Sequence, residues 1–344
     1  MSHRDGGRVK LVDVARAANV SLATASRALN QPEIVREPIR RRVEEAVRLL
    51  GYSPDRMARA LSSGRSHIVG AVVPTLGNAI FADGVEALQD RLAARGYTLL
   101  LANSQYDPRK EEQEIRAFLE HGVDGLVLVG DSFAPEVLPL VRQHGVPLVT
   151  TYVCTSGQGI PAVGIDNRQA TRKMTRYLLE LGHREFAIIA NTALPNDRSK
   201  ARLDGMVLAL AEAGIRLPSD RIVEVALPSI AYGRRALSGL FATDPAITAV
   251  LCTNDAVAVG ASSEARRMGL NVPRDLSIVG FDNIEIAAEG DPPLTTVNVP
   301  ADEIGRIAAD YLVSVVEGGQ IPMSTRLDAP LIVRDSTDRV RSPT

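Results

Sequence analysis

The 344-residue chain is poor in the residue types on which most enzyme chemistry is built. Its two cysteines, Cys154 and Cys252, stand far apart. That excludes a disulfide framework and a thiolate zinc site, and it fits a reducing compartment. The five histidines (His3, His67, His121, His144 and His183) are scattered, with no pair at metal-ligand spacing. His121 and His144 each precede a glycine, as residues in the last turn of a helix do. Only four lysines occur, Lys10, Lys110, Lys173 and Lys200, and none follows a glycine. A P-loop to cradle phosphates is therefore missing. So are a Gly-x-Ser-x-Gly elbow and a His-Glu-x-x-His pair. No catalytic residue, metal or cofactor is expected. No apolar run is long enough for a bilayer, and Met1–Arg8 lacks the apolar core of a signal peptide, so a cytoplasmic protein is expected. Low-complexity segments and short repeats are absent.

A length of 344 residues suits two or three domains, and 45% apolar residues suffice for sizeable cores. The first begins near Leu11. Leu11, Val14, Ala15 and Ala18 recur at the spacing of one helical face. Asn19-Val20 then suits a turn, because Asn tolerates left-handed backbone. Ser21 stands where an N-cap belongs, ahead of a second helix from Leu22 to Leu29. Ala25, Ala28 and Leu29 face the first helix, and the small alanines allow close approach. Leu22, Ala23, Thr24, Ser26 and Arg27 are left pointing outward, at the positions of a helix-turn-helix that meet base edges and phosphates. A third helix opens at Glu37-Pro38, with proline in its first turn. It carries the stripe Ile39, Val43, Ala46 and Leu50, and stops at Gly51. Tyr52 to Leu61 reads as a further short helix, with Ser53 as cap and Pro54 at its first position. Two turns are marginal alone in water, so it should fold against DNA or a partner.

Charge points the same way. Residues 1–65 hold thirteen Arg and Lys against seven Asp and Glu, a net of +6. The whole chain is −2, which leaves −8 on the remainder. A basic head on an acidic body is the footprint of a phosphate-binding module.

From Ile68 onward, apolar runs alternate with helical patterns. Strands are expected at Ile68–Val73, Tyr97–Ala102, Gly125–Val129, Leu148–Tyr152, Phe186–Ala190, Ile222–Ala226, Ile247–Cys252 and Leu276–Gly280. Helices should intervene at Phe81–Ala94, Glu111–His121, Pro135–His144, Arg168–Leu181, Ser199–Ala213, Tyr232–Phe241 and Ala256–Met268. Continuous apolar strands between helices mean parallel sheets covered on both faces. So many strands exceed one comfortable sheet, so two doubly wound subdomains are expected. Ligands in such folds sit beyond the carboxyl ends of strands, here the cleft between the halves. Asn78, Asn103-Ser104, Asp166, Asn254-Asp255 and Asp282-Asn283 fall at those ends, and Arg202 lies on a helix after Asn191. Carboxylates, amides and a guanidinium together suit a hydroxyl-rich ligand. Each Asp or Asn could equally cap the helix that follows.

These motifs resemble the lactose-repressor (LacI/GalR) family of bacterial transcription regulators over nearly the whole chain. The resemblance is strongest in Asp13-Val-Ala, Val20-Ser, Thr24-Ala-Ser-Arg-Ala-Leu-Asn30, Leu50-Gly-Tyr-x-Pro54 and Ala58-x-x-Leu61. It continues through Asn78-x-x-Phe-Ala82, Gly96-Tyr97, Val123-Asp-Gly125, Leu181-Gly-His183, Asn254-Asp255 and Val279-Gly-Phe-Asp282. Within that family the middle of the chain is most similar to a gluconate-operon repressor.

The resemblance implies an α/β protein with an all-α helix-turn-helix domain over residues 8–54. A hinge helix and linker would follow over 55–65, then a periplasmic-binding-protein-like core of two subdomains over 66–337, and a tail at 338–344. The subdomains would comprise 66–164 with 295–321, and 165–294 with 322–337. It also implies a homodimer on palindromic double-stranded operator DNA and a small-molecule effector, a sugar or sugar acid. Leu22, Ala23 and Arg27 would read bases. Arg27 can pair bidentately with guanine, while Leu22 and Ala23 can meet a thymine methyl. Ser21, Thr24, Ser26 and Asn30 would hold phosphates, with Tyr52, Arg56 and Ala58 completing the DNA contacts. Leu61 would wedge into the minor groove. Phe81, Asp166, Arg202, Asn254 and Asp282 would form the effector site. Ala79 replaces the proline expected after Asn78, and Arg36 and Ile39 replace hydroxyl residues near the start of the third helix. Pro228 replaces the aromatic residue five positions before Gly233, which removes a stacking platform, while Asp282 keeps hydroxyl recognition. The C-terminus has no leucine heptad, so a terminal coiled coil is not expected. A plain solute-binding protein and a sugar-processing enzyme with a regulatory head are the alternatives; the absent leader and absent phosphate motifs weigh against them.

Overall fold

A computed structural model describes residues 9–52 and 65–340. The chain divides into two compact units, residues 1–66 and 67–344. In the first, helices α1 (Leu11–Ala17), α2 (Leu22–Asn30) and α3 (Glu37–Leu50) surround a small core. Val14, Ala18, Ala28, Val43 and Ala46 are buried there, flanked by Leu11, Val20, Leu29, Val47 and Tyr52. Asn19 turns the chain at φ 53°, and Ser21 caps α2 by accepting from the Thr24 amide at 3.1 Å. α3 ends at Gly51 in left-handed backbone, φ 62°. One expected core position moves: Leu50 is 36% exposed. Its place against the core is taken by Val47, because the stripe of a straight helix drifts beyond its second turn.

The second unit holds two parallel sheets, built from β1 (Ile68–Val73), β2 (Thr98–Asn103), β3 (Gly125–Val129), β4 (Leu148–Thr151), β5 (Ala162–Gly164), β6 (Phe186–Ala190), β7 (Ile222–Glu224), β8 (Ala249–Cys252) and β9 (Ser277–Val279). A further strand, β11 (Ser324–Arg326), joins the first sheet, whose order is β11-β5-β4-β3-β1-β2. The second sheet runs β7-β6-β8-β9. β3, β4, β6 and β8 are buried along their whole length, as expected of strands covered on both faces. Helices α4 (Ala79–Ala94), α5 (Pro108–Glu120) and α6 (Val137–His144) cover the first sheet. The second is covered by α7 (Asn167–Glu180), α8 (Asp197–Glu212), α9 (Ile230–Thr243) and α10 (Asp255–Arg267). Among the described residues no helix is long and apolar enough to cross a membrane.

The segment after β9, which opens with the short helix α11 (Glu285–Ala288), differs from expectation. β10 (Thr296–Val297) pairs antiparallel with β12 (Leu331–Ile332). Between them runs helix α12 (Ala301–Val316), which the strand-and-helix reading did not extend to. It packs on α4, and a Cβ on Gly305 would run into the Gly84 carbonyl. β11 pairs with β5, Ser324 opposite Ala162 and Arg326 opposite Gly164. It therefore belongs to the first sheet, not to the subdomain that the expected 322–337 segment implied. The chain thus passes between the subdomains after β5, between β10 and α12, and between β11 and β12.

Candidate functional site

The outward face of α2 carries Leu22, Ala23 and Arg27, all exposed. An open leucine at 52% exposure beside an exposed arginine gives little to stability. It suits a surface that meets something else. Arg27 has no acidic partner among the described residues, whereas Arg16, Arg40 and Arg41 pair with Asp13, Glu44 and Glu37. The Ser21 hydroxyl is already engaged by the Thr24 amide and lies 2.8 Å from the Thr24 hydroxyl. Its first role is to hold the helix start. Tyr52 is half-buried against the core of this unit. Arg56, Ala58, Leu61 and the side chain of Asn30 lie outside the described residues.

A second site forms where the carboxyl ends of both sheets converge. A hollow of about 330 Å³ is lined by Asn78, Ile80, Phe81, Tyr106 and Tyr152 from the first subdomain. Asn191, Asn196, Arg198, Arg202, Asn254 and Asp282 line it from the second. Four of the five expected effector residues (Phe81, Arg202, Asn254 and Asp282) therefore meet. Asp166 stands apart. It caps α7 by accepting from the Gln169 amide at 2.9 Å, and it lies 3.6 Å from Arg326.

Arg202 organises the floor. Its Nε donates to Asn167 Oδ1 at 2.8 Å, and its Nη1 donates to the Thr253 carbonyl at 2.8 Å and to Asp282 Oδ1 at 3.2 Å. Its guanidinium lies 3.8 Å from the centre of the Phe281 ring. The Asn254 amide donates to the other Asp282 oxygen, while Asn254 Oδ1 caps α10 on the Ala256 amide. One asparagine thus serves as both cap and site residue. Burial pushes the Asp282 carboxyl up to about 6, against the pull of Arg202, Asn78 and Asn254. Burial likewise lifts Asp255 behind it to about 7, with Asp282 adding to the shift. Phe81 and Tyr152 meet edge to face at 5.2 Å, and the Tyr152 hydroxyl donates to the Ile80 carbonyl at 2.8 Å.

Backbone strain concentrates here. Tyr106, Tyr152 and Asp282 hold φ of 61°, 63° and 118°. Such conformations are uncommon outside glycine and cluster at functional sites. Arg198 ties the subdomains together: its Nη1 donates to the Val129 carbonyl at 3.0 Å and to Asp197 at 2.6 Å. The Asp131 amide donates to Asp197 at 2.9 Å. Against the effect of burial, Arg198 and that amide hold Asp197 below the usual carboxylate range. Sequence reasoning missed Tyr106, Tyr152, Asn196 and Arg198 as lining residues. Only Arg198 left a signal, one helical turn before Arg202 on the same face.

Comparison with known proteins identifies both units. Residues 10–55 match the bacterial regulatory proteins of the lacI family, and residues 175–337 match a periplasmic binding protein-like domain. The chain is 35% identical over 328 residues to the HTH-type transcriptional repressor CytR of Escherichia coli strain K12, covering 94% of this chain and 95% of that protein. It is 34% identical over 335 residues to the HTH-type transcriptional regulator GntR of Pseudomonas aeruginosa, covering 97% of each. A crystal structure of the lac repressor dimer bound to operator and the anti-inducer ONPF matches with a TM-score of 0.84 at 25% identity, over 96% of this chain and 100% of that one. The chain belongs to the lacI family of bacterial regulatory proteins, a DNA-binding transcriptional regulator with a helix-turn-helix head and a periplasmic-binding-protein-like body.

Proposed function

We propose that the chain is a cytoplasmic repressor of carbohydrate or sugar-acid genes, binding a palindromic operator as a homodimer and released or recruited by a small hydroxyl-rich effector. The observation that carries this reading is the buried Arg202–Asp282–Asn254 network at the joint carboxyl end of two parallel sheets. It offers fixed donors and acceptors within one hollow, as a sugar requires. The related lac repressor, seen as a dimer on operator with an anti-inducer, supports the dimer and the operator. Arg27, Leu22 and Ala23 would read bases. Residues 55–61, with Leu61 as the wedge, would couple the body to the DNA by ordering or melting. Such coupling is typically about 1–3 kcal/mol, roughly 5–150-fold in affinity.

The test is fluorescence anisotropy of the full-length protein on chromosomal fragments containing palindromes, with and without a panel of sugars and sugar acids. One fragment should bind far more tightly than random duplex, and one panel member should shift that affinity. Equal binding to all duplexes, unmoved by any panel member, overturns the proposal.

A further inference from the structure

At the mouth of the cleft the two subdomains touch through acids. Asp131, just after β3, belongs to the first; Asp197, at the start of α8, belongs to the second. The Asp131 amide donates to Asp197 Oδ2 at 2.9 Å, and the two carboxyls are hydrogen-bond partners of each other. Gly130 makes the approach possible, since a Cβ there would stand 2.5 and 2.7 Å from the Asp197 oxygens. Ionised carboxylates can only accept. A hydrogen bond between two of them therefore needs a proton, and like charges at that range do not both ionise.

The neighbours decide which acid carries that proton. Arg198 pairs with Asp197 Oδ1 at 2.6 Å, so Asp197 keeps its charge. Asp131 accepts from the Gly157 amide on its own side, at 3.4 Å. Burial and Asp197 push its carboxyl up, against the pull of Gly157 and Arg198. Glu111 on α5 joins them across a hollow of about 350 Å³, which Pro195, Asp197 and Arg198 line from the second subdomain. Burial pushes the Glu111 carboxyl up to about 7, with Arg198 opposing and Asp197 adding to the shift. Tyr106 and Asp107 are the other titratable groups in that wall. Asp107 caps α5 on the Arg109 amide, and burial raises the Tyr106 phenol, which stays neutral. Asp131, Glu111 and Asp197 thus crowd one guanidinium, and separating the subdomains returns all three to water.

We propose that this mouth is a proton-linked clasp: closing the cleft takes up a proton from solvent between Asp131 and Asp197, so that acid favours the closed arrangement and base opens it. The closed state holds a proton that a separated Asp131 releases at roughly 3.9. The closed arrangement has its full support below that value and loses it as pH rises through the raised values of Asp131 and Glu111. The closed-to-open ratio then falls by at most about tenfold per pH unit for each proton released. The clasp regulates the cleft proposed above to hold an effector, and its consequence for effector affinity rests on that reading.

Hydrogen exchange on the full-length protein at pH 5, 6, 7 and 8 tests it without any ligand. The Asp131 amide spans the cleft, whereas the Gly130 amide donates to the Thr151 carbonyl within the first subdomain, at 2.9 Å. Protection of the Asp131 amide, taken relative to its intrinsic exchange rate, should fall about tenfold or more from pH 5 to pH 8, and that of Gly130 much less. Asp131→Asn places an amide donor where the proton sat. Its protection at residue 131 should stay high and change by less than about threefold over the same range. Protection unmoved by pH, falling equally at Gly130, or falling equally in Asp131→Asn overturns the clasp. Calorimetry on the same preparation with gluconate, galactonate, glucose and galactose keeps the two claims apart. Protection that follows pH as expected while none of the four binds upholds the clasp and sinks the effector reading. Binding of one of them with protection unmoved does the reverse.

Discussion

Arg202 and Asp282 meet at 3.2 Å on the floor of the cleft, although eighty residues separate them in the chain. The pair is nearly closed to water, with side-chain exposures of 10% and 2%. Removing one partner leaves an uncompensated buried charge, which costs about 3–5 kcal/mol in comparable sites. Asp282→Asn is gentler because it keeps the volume and one acceptor. It should weaken effector binding at least about tenfold, the loss of one or two charge-assisted hydrogen bonds, while the affinity for operator DNA stays as in the unaltered protein. Calorimetry and anisotropy on the same preparation check this. An unchanged effector titration would remove Asp282 from the site.

Asp255 makes stability depend on pH. Its carboxyl titrates at about 7 in the fold, against roughly 3.9 in an unfolded chain. The folded state therefore holds a proton that the unfolded state has released. The stabilisation is fully present below about pH 4 and is lost as pH rises through about 7. Asp255→Asn removes the titration. The stability difference between the natural protein and the variant should shift against the natural protein as pH rises, by at most ~1.4 kcal/mol per unit. Urea unfolding at pH 5, 6, 7 and 8 measures it. A difference that is flat with pH would show that the Asp255 carboxyl is not raised.

What the sequence revealed and what it hid follow one physical line. Asn19, Ser21 and Gly51 were legible because turns and caps are decided within four residues. The buried strands were legible because their apolar runs need no knowledge of neighbours. β11 was misplaced because three residues with no alternation carry no signal of a partner some 160 positions earlier. Tyr106, Tyr152 and Arg198 stayed hidden because they converge only once both sheets are in place. Asp166 looked like a site residue for the same reason that it is a good cap: a carboxylate after a strand serves either role, and only the position of Arg326 separates them.

Ser21 holds the start of the reading helix through the Thr24 amide. Ser21→Ala should cost about 1 kcal/mol, near the middle of the range for lost N-caps, and Ser21→Gly only a few tenths. Because α2 must be formed to meet DNA, the alanine variant should lose about fivefold in operator affinity, and the glycine variant much less. Anisotropy at fixed salt distinguishes them. If glycine were as damaging as alanine, the hydroxyl would be acting on phosphate rather than on the helix.

Gly130 lies where the first subdomain's β3 meets the start of α8 in the second, at φ 86°. A Cβ there would run into the Arg198 guanidinium and would stand 2.5 Å from an Asp197 oxygen. Gly130→Ala must therefore strain the backbone, at roughly 1–2 kcal/mol for left-handed conformation, or push the subdomains apart. Separation would break the Arg198–Val129 and Asp131–Asp197 hydrogen bonds, which are the direct ties across this end of the cleft. Effector affinity should then fall about tenfold, because a share of the ligand's binding energy goes into restoring the closed arrangement. Small-angle scattering should record a larger radius of gyration without ligand. Unaltered affinity with unaltered scattering would mean that these two bonds do not govern closure.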